Sequence, residues 1–214
     1  MSLPFIVEHP CKEIIKHNRT TDIFILRNIL TTEEADTLRN VIENGPRSRE
    51  GKVELGDGKE WTQNVSATFF SLARVNDKEQ YNIIKNCLSK ISKYMKDMTR
   101  LEAYYPTDGC VRLRKIYDAT KIHCDGIVHN PSNPCFENNV RVFSTIIALN
   151  SDYEGGEFYF PRQDITVKLK AGEALIFPPY WTHPHGTNEL NGTFRYTINS
   201  WFYDCFQVSK PVCE

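Results

Sequence analysis

The stretch "RVFSTIIALNSDYEGGEFYFPRQDITVKLKAGEALIFPP", residues 141–179, decides the fold class. It is a chain of short runs rich in β-branched and aromatic residues, broken by Asn-Ser-Asp, Gly-Gly, Gln-Asp and Ala-Gly turn signals. Runs of the same kind flank it: "VRLRKIYD" at 111–118 and "FRYTINSWFY" at 194–203. Short strands following one another with turns between them, and no helical stretch to separate them, predict an antiparallel sandwich or barrel rather than βαβ units.

Upstream the period changes. "TTEEADTLRNVIENG" (31–45) opens with Thr31 and Glu34 at capping-box spacing, carries Ala35, Leu38, Val41 and Ile42 on one helical face, and stops at Gly45. "DKEQYNIIKNCLSKISKYMKDM" (77–98) places Tyr81, Ile84, Leu88, Ile91, Met95 and Met98 three or four apart, with lysines opposite, as an amphipathic helix packed on a sheet requires. The class is therefore α+β, with helices first and a β core after. Residues 46–66 are polar and glycine-bearing and read as a long loop or irregular hairpin. "GIVHNPSNPCFENN" (126–139) reads as an exposed loop; both segments are candidate lids.

With 214 residues, 40% hydrophobic and 25% charged, the chain is long enough for one sizeable core and cramped for two. Its formal net charge of -1 gives no global attraction to nucleic acid or membrane surfaces. Arg47, Arg49, Lys52 and Trp61 make a thin basic and aromatic patch, but Glu50 and Glu54 are interleaved with it. The N-terminal residues lack a basic start followed by an apolar run, and no run approaches transmembrane length, so a cytoplasmic protein is expected. Seven cysteines without C-x-x-C spacing point to reduced thiols.

The chemistry concentrates in the β half. His123 and Asp125 form an H-x-D triplet at the end of a β-type run, where side chains two apart share a face. An imidazole and a carboxylate side by side are two of the three ligands of the facial triad that holds non-haem iron(II). A third ligand must come from a distant strand, and "FPPYWTHPHG" (177–186) offers two histidines, His183 and His185. If that segment were a regular strand both would face the same way, and Pro184 makes regularity doubtful, so periodicity does not choose between them. Ten positions beyond His185 stands Arg195, whose guanidinium suits a carboxylate.

H-x-D, then "YEGGEFYFP", "AGEALIFPP" and His-x10-Arg running into "NSW" together resemble the Fe(II)/2-oxoglutarate-dependent dioxygenases, and most of all their prolyl 4-hydroxylase-like branch. The resemblance covers residues from about 110 to 204, and "NILTTEEADTLRNVI" is similar to that branch's helical lead-in. It implies a double-stranded β-helix (jelly roll) with helices on one sheet. The chain would form a single catalytic domain over 1–214, a helical and mixed portion (1–104) preceding the jelly-roll core (105–205). It further implies that His123, Asp125 and His185 hold the metal and that Arg195 binds the 5-carboxylate of 2-oxoglutarate. Lysine is commoner at that position in this branch. Tyr117, Ser144 and Thr197 are further candidates for the co-substrate. His183 is left as a neighbour of the third ligand, Arg141 shares a family motif with Ser144, and Trp181 and Trp201 are candidate pocket walls. Gly155 and Gly156 read as turn residues only. His129 is a loop residue, and nothing around His9 or His17 suggests a site. The implied activity is hydroxylation of peptidyl proline, with Fe(II), 2-oxoglutarate, O2 and ascorbate as cofactors, a proline-rich peptide as partner, and succinate and CO2 as products. Rival readings are an oxygenase acting on a nucleic acid or small molecule, and a jelly-roll binding module without activity.

Overall fold

A computed structural model describes residues 21–44, 77–99, 111–126 and 141–203 in full, together with the backbone of residues 140 and 204 and of short strands at 12–14, 51–54, 60–63, 65–66 and 103–104. The strands are β1 (Lys12–Ile14), β2 (Phe24–Leu26), β3 (Gly51–Glu54), β4 (Glu60–Gln63), β5 (Val65–Ser66), β6 (Ala103–Tyr104), β7 (Arg112–Ile116), β8 (Thr120–His123), β9 (Val140–Ala148), β10 (Phe158–Phe160), β11 (Ile165–Val167), β12 (Ala174–Phe177), β13 (His185–Thr187) and β14 (Arg195–Asp204). The helices are α1 (Thr32–Asn44) and α2 (Lys78–Thr99).

Among the described residues, eight strands form a large sheet in the order β1-β2-β12-β9-β14-β7-β5, with β6 also pairing β14. A smaller sheet runs β11-β10-β13-β8, and every pairing in both is antiparallel. This is the expected jelly roll. The N-terminal portion is more than a helical layer, because β2 completes the large sheet by pairing with β12. The polar 46–66 segment contains an antiparallel hairpin, β3 with β4, and β5 pairs with β7. The 126–139 loop lies outside the described residues beyond Gly126, as do His9, His17 and His129.

Alternation along the strands separates two cores. On one face of the large sheet Leu113, Ile147, Ile176, Ile198 and Phe202 pack with Leu38, Ile42, Ile84, Leu88, Ile91 and Met95 of the helices. On the other face Ile146, Ala148, Leu175 and Phe177 meet Phe158, Phe160, Ile165 and Val167 of the small sheet. The helices start where their caps dictate. The Thr31 hydroxyl accepts from the Glu34 amide (3.2 Å) while the Glu34 carboxylate accepts from the Thr31 amide (2.9 Å), a complete capping box. Asp77 accepts from the amides of Glu79 and Gln80 and caps α2. The lead-in to α1 is tied to the sheet at Gly172, whose carbonyl accepts from the Ile29 amide at 2.9 Å. That residue has φ +80°, and a Cβ there would lie 2.5 Å from the Leu30 carbonyl, so both conformation and close approach demand glycine.

Candidate metal and co-substrate site

The small sheet brings His123 and His185 together. β13 pairs with β8 so that the two residues are register partners, and their rings lie 4.5 Å apart. Pro184 does not disrupt this, because β13 begins only at His185, after the proline. Asp125 follows β8 and turns its carboxylate between the two imidazoles. His123 Nε2 is 3.3 Å from Oδ1 and His185 Nε2 is 3.6 Å from Oδ2. The candidate ligand atoms all lie within 4.8 Å of one another. Three donors at right angles around a common ion, each at about 2.1 Å, would be about 3 Å apart, so this donor set fits a divalent transition metal with little movement.

The surroundings fix which atoms face the ion. His123 Nδ1 donates to the Lys121 carbonyl (2.8 Å) and His185 Nδ1 to the His183 carbonyl (3.1 Å), which leaves both Nε2 atoms directed at the shared point. Ser144 donates to Asp125 Oδ2 at 2.6 Å, and Arg141 donates to the Asp125 backbone carbonyl at 2.6 Å. The Gly126 amide donates to the Pro179 carbonyl at 2.7 Å, which holds the turn after the triplet. Burial opposes ionisation of Asp125, but the hydrogen bond from His123, the nearby imidazoles and the Ser144 hydroxyl hold its carboxyl well below the usual range. Burial pushes His185 down to about 4, so it is neutral and able to ligate at neutral pH. His123 is also largely desolvated, yet its contact with Asp125 outweighs that and raises it.

His183 has a different task. Its Nε2 donates to the Thr21 carbonyl at 2.7 Å and its Nδ1 accepts from the Thr182 hydroxyl at 2.9 Å, so both nitrogens are engaged away from the triplet. It is buried and holds the 182–184 turn against the segment that enters β2.

Arg195 stands on the inner face of β14 and is 2% exposed. Its Nη1 donates to the Gly156 carbonyl, and its guanidinium lies over the Phe158 ring at 4.5 Å. Its Nε is buried without a partner. Burial lowers its pKa to about 10, which leaves it charged at neutral pH. Gly156 is therefore more than a turn residue. A Cβ there would sit 2.6 Å from the Leu190 side chain and 3.5 Å from Arg195 Nη1. At Gly155 a Cβ would sit 2.0 Å from the Glu189 carbonyl.

Several expected residues sit differently. Tyr117 is 42% exposed and packs edge-on against Phe194. It shares the side of Lys115, whose Nζ lies 4.2 Å from the centre of the same Phe194 ring, because strand alternation turns odd positions of β7 away from the second sheet. It is not brought to the other candidates. The Ser144 hydroxyl, expected at the co-substrate, directs its proton at Asp125. Thr197 lies on the Arg195 face and donates to Asn199 Oδ1 at 2.7 Å, leaving its oxygen as an acceptor. Trp201 is buried between the guanidinium groups of Arg141 (4.3 Å) and Arg112 (4.9 Å). Trp181 is 71% exposed and is neither core nor buried wall. The side chains of Arg47, Arg49, Lys52 and Trp61 lie outside the described residues.

Sequence reasoning missed Arg114. "VRLR" alternates arginine with apolar residues, and that period two was the available signal for Arg112 and Arg114 on one face. The structure puts Arg114 on the inner face opposite Thr197.

The jelly roll with a His-Asp-His cluster and a buried arginine on the last strand coincides with a family match: residues 113–203 match the model of the 2OG-Fe(II) oxygenase superfamily. The relatives that the chain resembles are prolyl hydroxylases. Prolyl 3-hydroxylase 2 of Homo sapiens is 30% identical over 91 residues, 38% of this chain and 13% of that protein. Prolyl 3-hydroxylase 1 of Homo sapiens is 26% identical over 138 residues, 57% of this chain and 19% of that protein. The chain thus spans a small fraction of the length of these curated relatives. The collagen prolyl hydroxylase of Paramecium Bursaria Chlorella virus-1, solved with 2OG, superposes with a TM-score of 0.62 at 17% identity, covering 86% of this chain and 96% of that one. A prolyl hydroxylase of Trichoplax adhaerens, solved with a hypoxia inducible factor peptide, gives a TM-score of 0.64 at 15% identity, covering 86% of this chain and 84% of that one. No helix among the described residues is long and apolar enough to cross a membrane.

Proposed function

We propose that this protein is an iron(II)- and 2-oxoglutarate-dependent hydroxylase of peptidyl proline. The observation that carries the reading is the convergence of His123 Nε2, His185 Nε2 and the Asp125 carboxylate, with both Nδ1 atoms held by backbone carbonyls. These three residues would hold the iron. When bound, iron with 2-oxoglutarate and O2 supplies oxidative hydroxylation of an unactivated C–H bond, with succinate and CO2 as products.

The chain's own residues do the positioning. Ser144 and Arg141 fix Asp125 through its carboxylate and its carbonyl, so the carboxylate presents to the ion without rotating. Arg195 would take the 5-carboxylate of 2-oxoglutarate, its charge unneutralised by any acid within ion-pair distance among the described residues. Residues 1–214 act as one catalytic unit on this reading, because β2 and the two helices complete the sheet that carries Arg195. Ascorbate serves as reductant, and a reducing cytoplasmic setting suits the free thiols Cys87 and Cys124.

Proline-containing peptides are the substrate class, supported by the prolyl hydroxylase relatives in sequence and fold. A proline-rich segment would lie beside the triad in an extended or polyproline conformation. The test is succinate release by purified protein with Fe(II), 2-oxoglutarate and ascorbate, with and without a panel of proline-rich peptides, followed by mass spectrometry. Stimulation by a peptide that gains one oxygen atom on proline is expected, and amino-acid analysis then reads whether carbon 3 or carbon 4 is modified. Absence of stimulation by every peptide overturns the substrate assignment.

A further inference from the structure

β7 and β14 pair so that Arg114 is opposite Thr197 and Ile116 opposite Arg195. Arg114 and Arg195 are therefore diagonal neighbours on the inner face, with Cα atoms about 7–8 Å apart. Both bear a buried Nε that makes no hydrogen bond. Beyond the bond from Arg195 to the Gly156 carbonyl, neither guanidinium has a hydrogen-bonding or ion-pairing partner among the described residues. Asp125 is the acid that faces Arg114, and its oxygens are already engaged by His123, His185 and Ser144.

A buried guanidinium beside a half-buried one, each with its Nε unpartnered, is costly unless an anion completes them. Burial and the neighbouring Arg112 charge depress Arg114 to about 10, yet it keeps its proton at neutral pH. Each planar fork suits a carboxylate. The two arms reach into the same space from adjacent strands, Arg195 at the end near Gly156 and Arg114 toward Asp125. That order matches a dicarboxylate lying along the face, one end on each arginine.

We propose that Arg114 is a second carboxylate-binding residue of the co-substrate pocket, holding the end of 2-oxoglutarate nearer Asp125 while Arg195 holds the far end. The proposal rests on the 2-oxoglutarate reading above and adds to it a residue that the family pattern did not supply. Arg114 restrains the co-substrate end that approaches the metal ligands, so it positions the reacting group as well as binding it.

Calorimetric titration of the full chain loaded with Mn(II), which prevents turnover, tests this with two ligands. One is 2-oxoglutarate and the other is 2-oxopentanoate, which has the same chain but lacks the far carboxylate. Arg114→Gln is expected to weaken both ligands by the same factor, roughly 10- to 100-fold. Arg195→Gln is expected to weaken 2-oxoglutarate and leave 2-oxopentanoate unchanged. Should Arg114→Gln fail to fold, Arg114→Leu carries the same expectation. Wild-type affinity of the Arg114 variant for both ligands overturns the two-arginine clamp, whatever Arg195 does. Failure of wild type itself to bind 2-oxoglutarate overturns the functional reading instead, so the two failures are distinguishable.

Discussion

The two faces of β14 differ in what they leave unsatisfied. Tyr196, Ile198 and Phe202 turn toward the helices, where apolar packing dominates and the buried groups left without a hydrogen bond, the Ser200 hydroxyl and that of Thr145 opposite it, are uncharged. The Tyr196 hydroxyl bonds to Glu43, and Glu43 in turn pairs with Lys115 at 2.7 Å. One residue over, Arg195 and Thr197 turn toward the second sheet, where a guanidinium is buried with its Nε unpartnered. The same backbone thus carries a face closed by apolar packing, whose unpaired groups are neutral, and a face that buries a charge without an ion-pair partner among the described residues. A stability role and a binding role are separated by alternation alone.

The largest expected effect breaks that separation from the inner side. Arg195→Leu should weaken 2-oxoglutarate binding by about 2–5 kcal/mol, on the order of 30-fold to several thousandfold. Its thermal midpoint should hold or rise, because replacing an unpaired buried cation with a hydrophobe relieves desolvation. Calorimetric titration and thermal unfolding of the same sample check both halves. On the outer face the pattern reverses. Ile198→Ala, opposite Ile147 in the sheet, should cost about 2–5 kcal/mol of stability in denaturant melts while leaving co-substrate affinity intact.

His183→Ala should cost about 1–3 kcal/mol, since it leaves the Thr21 carbonyl without its partner. Bound metal should remain at the wild-type level. The smallest effect lies at Glu43, whose pKa is held below its ordinary 4.5 by hydrogen bonds from Lys115 and Tyr196. A depressed acid stabilises the fold above its unfolded pKa and loses that contribution as pH falls through the folded value. Glu43→Gln should therefore lower stability slightly at pH 7 and flatten its decline below pH 4.5, read by melts across pH.

Much of this division was legible in the sequence. Thr31 and Glu34 announced α1, and the spacing of Ile84, Leu88, Ile91 and Met95 announced the buried face of α2. The H-x-D triplet and the distant Arg195 announced the elements of the site. Local pattern did not reveal β2, a three-residue strand whose pairing with β12 is long-range. It also did not separate His183 from His185, since what distinguishes them is a carbonyl at Thr21, 162 positions away in the chain. Tyr117 was placed by the family resemblance, but the face it occupies follows the parity of β7. Arg114 shows the converse: its parity was readable, but only pairing with β14 gives that parity a meaning.

On the proposed function His185, not His183, completes the metal site with His123 and Asp125. Iron content after anaerobic loading and desalting of wild type, His183→Ala and His185→Ala tests it most directly. One iron per chain in the first two proteins and loss of it in the third is the expected result. Iron retained by His185→Ala but lost from His183→Ala would move the third ligand to His183 and overturn the assignment of His185.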